Sequence, residues 1–463
     1  MQIPPPRLSL TVLMDNLTAA RATMAFSLGF HIIFASIGMT MPLFMSAAHW
    51  LWLKKKNPVY LELTKMWMRG VAILFAVGAV SGTVLSFELG LLWPGFMRHA
   101  GAIIGMPFSW EGTAFFLEAV AIGLFLYGWK RMHPWVHWAT GLTVGVAGFV
   151  SGIFVVAVSG WMNAPAGFEW LDGAAHNIDP VKAMFNRAWP HLSLHMQLAA
   201  LQAVGFGVAG IHAFLYLRGK APEVHLRALK IAMAFGAVAS LAQPFAGHFA
   251  GRRVAQLQPV KLAAMEGHFE TSRRAPLYIG GIPDEEARTT RWGVPVPGLL
   301  SLMAHDDIDA EVAGLDQFPR EDWPPVAITH VSFQIMVGIG MAMALLGVLY
   351  FVYARRGRFP AWFLRVLVVF APFGMVAIET GWVVTEVGRQ PWIIHGILRT
   401  RDAVTPVPGM VWHFALFLVL YTALAIATVW LFKRQIQAVQ NQAAQNRRAG
   451  QEQAAQNQTG QPA

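Results

Sequence analysis

The sequence predicts an all-α integral membrane protein with about nine transmembrane helices and one large extracytoplasmic loop. Only 13% of the 463 residues are charged and 55% are hydrophobic, whereas a typical soluble domain has roughly 25% charged residues. Nine apolar stretches approach the roughly 20 residues that a membrane-spanning helix needs. Despite a formal net charge of +10, the basic residues do not form a nucleic-acid-binding patch. They cluster at the ends of the apolar stretches, as is typical of membrane orientation.

The predicted spans each include at most a few polar residues. In chain order they are 23–48, 70–92, 111–129, 136–160, 193–217, 229–250, 327–354, 362–386 and 408–432. Lys and Arg are concentrated after the first, third, fifth, seventh and ninth spans, which predicts that these connections are cytoplasmic and that the N-terminus is outside. Three arginines oppose this bias on the outer side, Arg389, Arg399 and Arg401, so we expect them to have another role.

The spans divide the chain into four regions. Residues 1–250 hold spans one to six, and residues 326–432 hold spans seven to nine. Between them, residues 251–325 are rich in Pro, Gly and charge and should form the extracytoplasmic loop. Residues 433–463 are rich in Gln and Ala and are predicted to be a disordered cytoplasmic tail, because they cannot bury a core.

Carboxylates inside the spans are functional candidates, because ionisable groups are costly at that depth. Glu111 and Glu118 are seven residues apart in the third span, so a helix puts them on one face, as a proton path would require. Glu379 and Glu386 have the same spacing in the eighth span. Glu88 lies so close to the outer end of its span that contact with solvent is a sufficient explanation.

Heme-ligating residue types also occur in the spans, at His31, His195 and Met336. A lone transmembrane histidine is explained as easily by a hydrogen bond to a neighbouring helix, and Met336 alone would be ordinary core filling. His191 precedes His195 by one turn, but no third metal ligand is evident and we expect His191 at the membrane interface. The absence of cysteine excludes iron–sulfur clusters and covalently attached heme, while heme held by His, Met or carboxylate stays open.

Five segments together resemble subunit I of cytochrome bd-type quinol oxidases. They are GRQPW at 388–392, preceded by ETGW at 379–382 and TE at 385–386; GHFAGRRVAQLQPVKLAAMEGHFET at 247–271, followed by GIPD at 281–284; FFLEA at 115–119 with Glu111 upstream; GWMNAP at 160–165; and the first span with His31, which Arg21 precedes. The resemblance extends from about residue 19 to residue 432. The combination is specific, although no single segment would be.

The resemblance implies several hemes and their ligands. His31 matches the axial ligand of one high-spin heme at the oxygen-reducing site, and Glu379 matches the carboxylate associated with the other. His195 and Met336 match the two axial ligands of a low-spin heme b. The implied cofactors are therefore a low-spin heme b, a high-spin heme b, and a heme d or a third heme b.

The resemblance also implies roles at the outer surface. Lys261 and Glu266 match loop residues that take part in quinol binding and oxidation. Arg389 matches an arginine near the hemes, where it would pair with propionates, and Trp392 belongs to the same cofactor-binding segment. A propionate partner would explain why Arg389 opposes the charge bias.

Some positions depart from the family pattern. Glu111 and Glu118 match acids of a proton pathway but are one residue closer than in many members. At the end of the second span, Ser86 takes the place of a glutamate and Glu88 that of a glutamine. Gln334 stands where an arginine is common. These departures indicate a divergent subgroup, and they leave open heme d or heme b at the oxygen site and the identity of the quinol.

The implied function is that of the heme-bearing subunit I of a terminal oxidase in the bacterial cytoplasmic (inner) membrane. It would oxidise quinol outside and reduce O2 to water with protons from inside, which generates a membrane potential. The implied partners are a second subunit of the oxidase (subunit II), a small single-helix subunit, quinol, O2 and the lipid bilayer, with no nucleic acid. Two alternatives stay open: a quinol dehydrogenase subunit that does not reduce oxygen, and a proton-coupled transporter.

Overall fold

The computed structural model of the protein describes residues 14–458. In chain order its helices are α1 (Asn16–Lys55), α2 (Pro58–Leu92), α3 (Pro94–Tyr127), α4 (Pro134–Asn163), α5 (Pro180–Met184), α6 (Trp189–Leu217), α7 (Pro222–Leu257), α8 (Pro259–Glu266), α9 (Leu299–His305), α10 (Val326–Arg355), α11 (Ala361–Phe370), α12 (Phe373–Val387), α13 (Thr400–Ala403) and α14 (Met410–Gln458). Within this described part, nine helical segments are long and apolar enough to cross a membrane. The predicted multi-pass, all-helical fold is confirmed.

Short antiparallel strands occur only in the connections of the described chain. They are β1 (Glu169–Leu171) with β2 (Ala174–His176), β3 (Ser272–Arg273) with β8 (Glu311–Val312), β4 (Leu277–Ile279) with β7 (Val294–Val296), β5 (Ile282–Asp284) with β6 (Thr289–Arg291), and β9 (Trp392–Ile394) with β10 (Leu398–Arg399). Every sheet among the described residues has only two strands, so the strands shape loops and do not form a core sheet.

The helix ends follow from local chemistry. The Asp15 carboxylate accepts a hydrogen bond from the Thr18 N–H and caps α1. Helices α2, α3, α4 and α7 each begin with proline, whose fixed φ suits a first turn and whose missing N–H would have had no partner there.

Two segments differ from the sequence-based expectation. The eighth span is not continuous but is divided into α11 and α12 at Ala371 and Pro372, because proline has no N–H to continue the helix. The ninth span continues as helix to Gln458, where we expected a disordered tail from residue 433. Ala, Gln and Arg are strong helix formers, which explains the difference. Residues 459–463 of that predicted tail lie outside the described residues.

Four helices form a ring in which α6 packs on α7, α7 on α10, α10 on α12, and α12 on α6. The α6–α7 crossing is close, because two glycines meet there. A Cβ added at Gly205 would lie 2.5 Å from the Cα of Gly236. The second group of long helices comprises α1 to α4, with α1 packed on α2, α4 and α14.

Residues 258–325 connect α7 to α10 and cover one end of the bundle, which we call the loop end. Helices α8 and α9 pack on α7, and α8 and β5 pack on α10. Two small apolar clusters hold the segment together, one around Leu300 and one around Phe269.

Replacement of Gly205 by valine should destabilise the bundle by about 1–3 kcal/mol, because no backbone shift short of separating α6 from α7 makes room for the side chain. The thermal unfolding of the detergent-solubilised protein measures the effect. Gly338→Ala is the matched control, since a Cβ there meets no atom within 4 Å. If Gly205→Val unfolds at the wild-type temperature, the close crossing is not as described.

Candidate functional site

Lys261 is a buried cation at the loop end, with 4% of its surface exposed. Its ammonium group donates hydrogen bonds to Asn163 Oδ1 (2.9 Å), the Thr385 carbonyl (2.9 Å) and Gln258 Oε1 (3.2 Å). An ammonium has three donors, so every one has a partner. All three acceptors are neutral, and burial together with the nearby Arg389 charge lowers the Lys261 pKa to about 7. The amine can therefore exchange a proton near neutral pH.

Arg389 is the second buried cation of this region. Its guanidinium bonds the Glu386 carboxylate, which also accepts a hydrogen bond from the Ser159 hydroxyl at 3.1 Å. The Arg389 Nε and Nη1 atoms are buried and have no partner within the described chain. Those two donors can take a second anion, which is the chemistry that the predicted propionate contact requires.

Arg399 has the acidic partners that explain its place at the loop end. Its guanidinium lies 2.7 Å from an Asp322 oxygen and 3.4 Å from a Glu321 oxygen. It also lies over the ring of Trp392, 4.9 Å from the centroid. The Arg399 guanidinium thus contacts the Trp392 ring of β9 as well as the two carboxylates.

Glu266 ends α8 and is buried, with its Oε2 atom lacking a partner in the described chain. Burial raises the Glu266 pKa to about 8. Glu266 and Lys261 are five residues apart on one helix, roughly 140° around its axis. They lie on one short helix but do not form an ion pair. Each side chain can therefore gain or lose a proton without breaking a salt bridge to the other.

His31 is oriented for ligation through Nε2. The Ser81 hydroxyl lies 2.9 Å from His31 Nδ1 and donates its own hydrogen to the Gly78 carbonyl at 3.1 Å. Ser81 therefore accepts from Nδ1–H, which fixes the tautomer and leaves the Nε2 lone pair available. A Cβ added at Gly82 would lie 3.0 Å from the His31 ring.

Glu379 lies on the other side of α1. Its Oε1 atom is buried without a partner in the described chain, and a Cβ added at Gly29 would lie 3.1 Å from its Oε2 atom. Gly29 precedes His31 by two residues, so the two positions point to opposite faces of α1. His31 faces α2 and Glu379 approaches α1 from α12. The structure therefore does not bring these two predicted ligands into one contact.

His195 and Met336 come from the diagonal positions of the four-helix ring, on α6 and α10. A Cβ added at Gly247 of α7 would lie 3.6 Å from the His195 ring, and one added at Gly381 of α12 would lie 2.9 Å from the Met336 sulfur. Ligands on facing helices of a bundle commonly hold a group between them.

A shared feature links the four predicted ligands. Each of them faces a glycine of a neighbouring helix, where a larger side chain would contact the ligating group. Imidazole, thioether and carboxylate are all heme-iron ligands. The donor set fits heme iron, and a Cβ at any of the four glycines would lie against the ligating side chain.

Glu111 and Glu118 face α4 from α3, as their spacing predicts. Ser151 of α4 donates a hydrogen bond of 3.3 Å to Glu111, and a Cβ added at Gly148 of α4 would lie 3.6 Å from the Glu118 carboxyl carbon. The pair forms a polar line along the α3–α4 seam.

Two buried residues were underrated by the sequence. Glu88 is completely buried and accepts a 2.6 Å hydrogen bond from Ser27, so the expectation that solvent surrounds it is wrong. Ser86 is exposed and bonds its own helix at Gly82. His191 is 3% exposed and lies in the first turn of α6, and its expected place at the membrane interface stays a prediction. For His191 the signal is helical phase, since His191 lies one turn before His195 on the same helix.

Gln334 joins α10 to the loop segment. Its amide donates to the Tyr278 carbonyl at 2.9 Å and accepts from the Gly280 N–H at 3.0 Å. Gln334, which departs from the family pattern, thus uses both its amide oxygen and its amide nitrogen to hold β4 against the bundle.

Comparison with known proteins gives a consistent result. The sequence model of the family described as cytochrome bd terminal oxidase subunit I matches residues 19–440. A Bacillus subtilis (strain 168) protein, provisionally named cytochrome bd menaquinol oxidase subunit I, is 35% identical over 90% of this chain and 96% of its own length. Cytochrome bd ubiquinol oxidase subunit 1 of the same organism is 31% identical over 92% and 94%. The structure of bd oxidase from Geobacillus thermodenitrificans is similar with a TM-score of 0.85 and 36% identity, over 91% of this chain and 99% of that one.

Removal of the Gln334 amide should loosen the loop segment. In Gln334→Ala the Tyr278 carbonyl and the Gly280 N–H lose their partner, at a cost of about 1–3 kcal/mol if they stay shielded from water. Amide hydrogen exchange at Gly280 should become faster, whereas exchange in α6 should not change. Ser332→Ala, on the same helix, is the control. Unchanged exchange at Gly280 would contradict the tether.

Proposed function

The chain belongs to the cytochrome bd terminal oxidase subunit I family, and we propose that it oxidises quinol at the loop end and passes the electrons to hemes inside the bundle, where O2 is reduced to water. The relatives are named as menaquinol and ubiquinol oxidases, so quinol is proposed as the donor class. The observation that carries the proposal is the set of four heme-ligating side chains, each facing a glycine of a neighbouring helix.

The hemes supply electron transfer and oxygen chemistry when bound, and the protein supplies the ligands. We propose that His195 and Met336 would hold a low-spin heme b, which would supply electron transfer. His31 and Glu379 each offer a single ligating atom, as two high-spin hemes, one b-type and the other heme d or heme b, would require. Their placement on opposite faces of α1 supports one heme for each residue.

The loop end has the groups that quinol oxidation needs. A quinol releases two protons with its two electrons, so a base must be close to its hydroxyl groups. Lys261 is proposed to bind quinol, and Glu266, with its pKa raised to about 8, can accept a proton in this range. The three oxygen acceptors around Lys261 hold its amine in one position.

The charge bias of the connections supports a direction for the reaction. The loop end would lie outside the bacterial cytoplasmic membrane, and the C-terminus would lie in the cytoplasm. Glu111 and Glu118 would carry protons from the cytoplasm along the α3–α4 seam. Proton release outside and uptake from inside would build a membrane potential without a pump.

The proposed partners follow from the family. The subunit would work with a second membrane subunit (subunit II) and a small single-helix subunit. The comparisons support neither the transporter nor the quinol dehydrogenase without oxygen reduction. The exposed apolar residues of α3, such as Phe116 and Leu117, are available to lipid or to a partner subunit.

The purified complex should show heme absorption and consume O2 when quinol is added. His195→Ala should lose the low-spin heme signal, because one axial ligand is removed, while the high-spin signals persist. His176→Ala, at an exposed loop position, is the control. A correctly folded preparation without heme would overturn the proposed function, and an intact low-spin signal in His195→Ala would overturn the ligand assignment.

The pH dependence of quinol oxidation tests Glu266. Its raised pKa of about 8 keeps the carboxyl protonated below that pH, where it cannot accept a proton, so the turnover rate should rise as the pH passes through 8. Glu266→Gln should turn over at least roughly tenfold more slowly and lose this rise. The steady-state rate from pH 6 to 9.5 is the measurement, with exposed Glu270→Gln as the control. A wild-type profile in Glu266→Gln would exclude it as the acceptor.

A further inference from the structure

A small cavity lies beside Lys261, between α4, α6 and the α7–α8 junction. Its volume is about 20 Å³, and its polar lining residues are Asn163, His191, Gln258 and Lys261. The rest of the lining is apolar. A cavity of this volume holds one water molecule, provided that polar atoms face it.

Two polar atoms of the lining have no partner in the described chain. They are His191 Nδ1 and Gln258 Nε2, and both residues are 3% exposed. Buried polar groups without a partner are costly, and an ordered water is a common solution. A water that accepts from Gln258 and donates to His191 would satisfy both atoms.

The hydrogen bond between Lys261 and Gln258 determines how this water is oriented. An ammonium can only donate, so the Gln258 atom at 3.2 Å from it must be the amide oxygen. The amide nitrogen of Gln258 is then the donor left over. Gln258 therefore connects the Lys261 amine to the cavity.

His191 is also placed to release a proton. Its ring contacts the half-exposed ring of Phe249 edge to face, with centroids 6.2 Å apart. The charged or titratable groups around it are Arg253 of α7, Lys261 of α8 and His195 of α6. No carboxylate is among them, so a proton on the imidazole would be repelled toward solvent.

We propose that His191 receives, through a water in this cavity, one of the two protons released when quinol is oxidised beside Lys261, and passes that proton to solvent at the loop end. The proposal rests on the proposed function. The quinol O–H bond breaks, the water takes that proton while giving one of its own to His191 Nδ1, and the imidazolium loses its Nε2 proton. The second quinol proton goes to Glu266, and the two electrons go to O2, the acceptor of the family's reaction. His191 is a positioning residue, because it acts through the water.

His191→Gln is the first test, since glutamine fills similar space but cannot be protonated. The kcat for quinol oxidation should fall roughly tenfold and KM should change little, whereas the rise of the rate through pH 8 that depends on Glu266 should persist. In His191→Ala, added imidazole should restore part of the rate, which a merely structural role would not allow. The matched control is His176→Gln, an exposed histidine outside this site.

The heme spectrum and the O2 consumption driven by an artificial reductant separate the outcomes. Both readouts at the wild-type level in the variants would show that the oxidase itself is intact. If His191→Gln then keeps the wild-type kcat, or if imidazole fails to rescue His191→Ala, the relay is wrong and the proposed function stands. If the wild-type complex itself consumes no O2 with the reductant, the proposed function fails first. A loss of rate with quinol alone, restored by imidazole, supports the relay.

Discussion

The need to solvate one buried ammonium organises the loop end of this protein. Lys261 is shielded from water, so its charge must be stabilised by oxygen atoms of the chain. Those atoms come from the end of α4, from the α7–α8 junction and from α12, which are distant in sequence. Because an unpartnered charge would be far more costly than any one of these contacts, the three elements must meet there. The meeting places Arg389, Glu386 and the cavity at His191 within one polar region, next to the helices that carry the proposed heme ligands.

Inside the bundle the dominant constraint is space. Helices pack most closely where small residues meet, yet the glycines opposite the four ligands do not bring backbones into contact with each other. They let a ligating side chain lie against the backbone of the neighbouring helix. The α6–α7 crossing at Gly205 and Gly236 shows the other use of glycine, where the backbones do touch. The same residue type thus permits two kinds of contact, one between two helix backbones and one between a backbone and a predicted ligand.

Much of this could be predicted from the sequence, because hydropathy and charge bias depend on composition along the chain. The nine spans are confirmed for that reason, and the family is confirmed because its motifs are local sequence patterns. Segments such as GWMNAP and KLAAME could be recognised in the sequence. The hydrogen bond between Asn163 and Lys261 could not be predicted, since contacts between distant segments depend on packing. Glu88 was misjudged because its position along α2 says nothing about the face it occupies. The break at Pro372 could not have been expected from proline chemistry alone, since Pro42, Pro107 and Pro244 lie inside continuous helices.

The central claim is that quinol gives up its electrons beside Lys261. Anaerobic mixing of the purified complex with quinol, followed by the reduction of the low-spin heme in the millisecond range, tests it directly. In Lys261→Met the buried chain keeps its length but loses its charge and its donors, so quinol should reduce the heme far more slowly. The heme spectrum after chemical reduction should stay the same. Reduction by quinol at the wild-type rate in Lys261→Met would contradict the account.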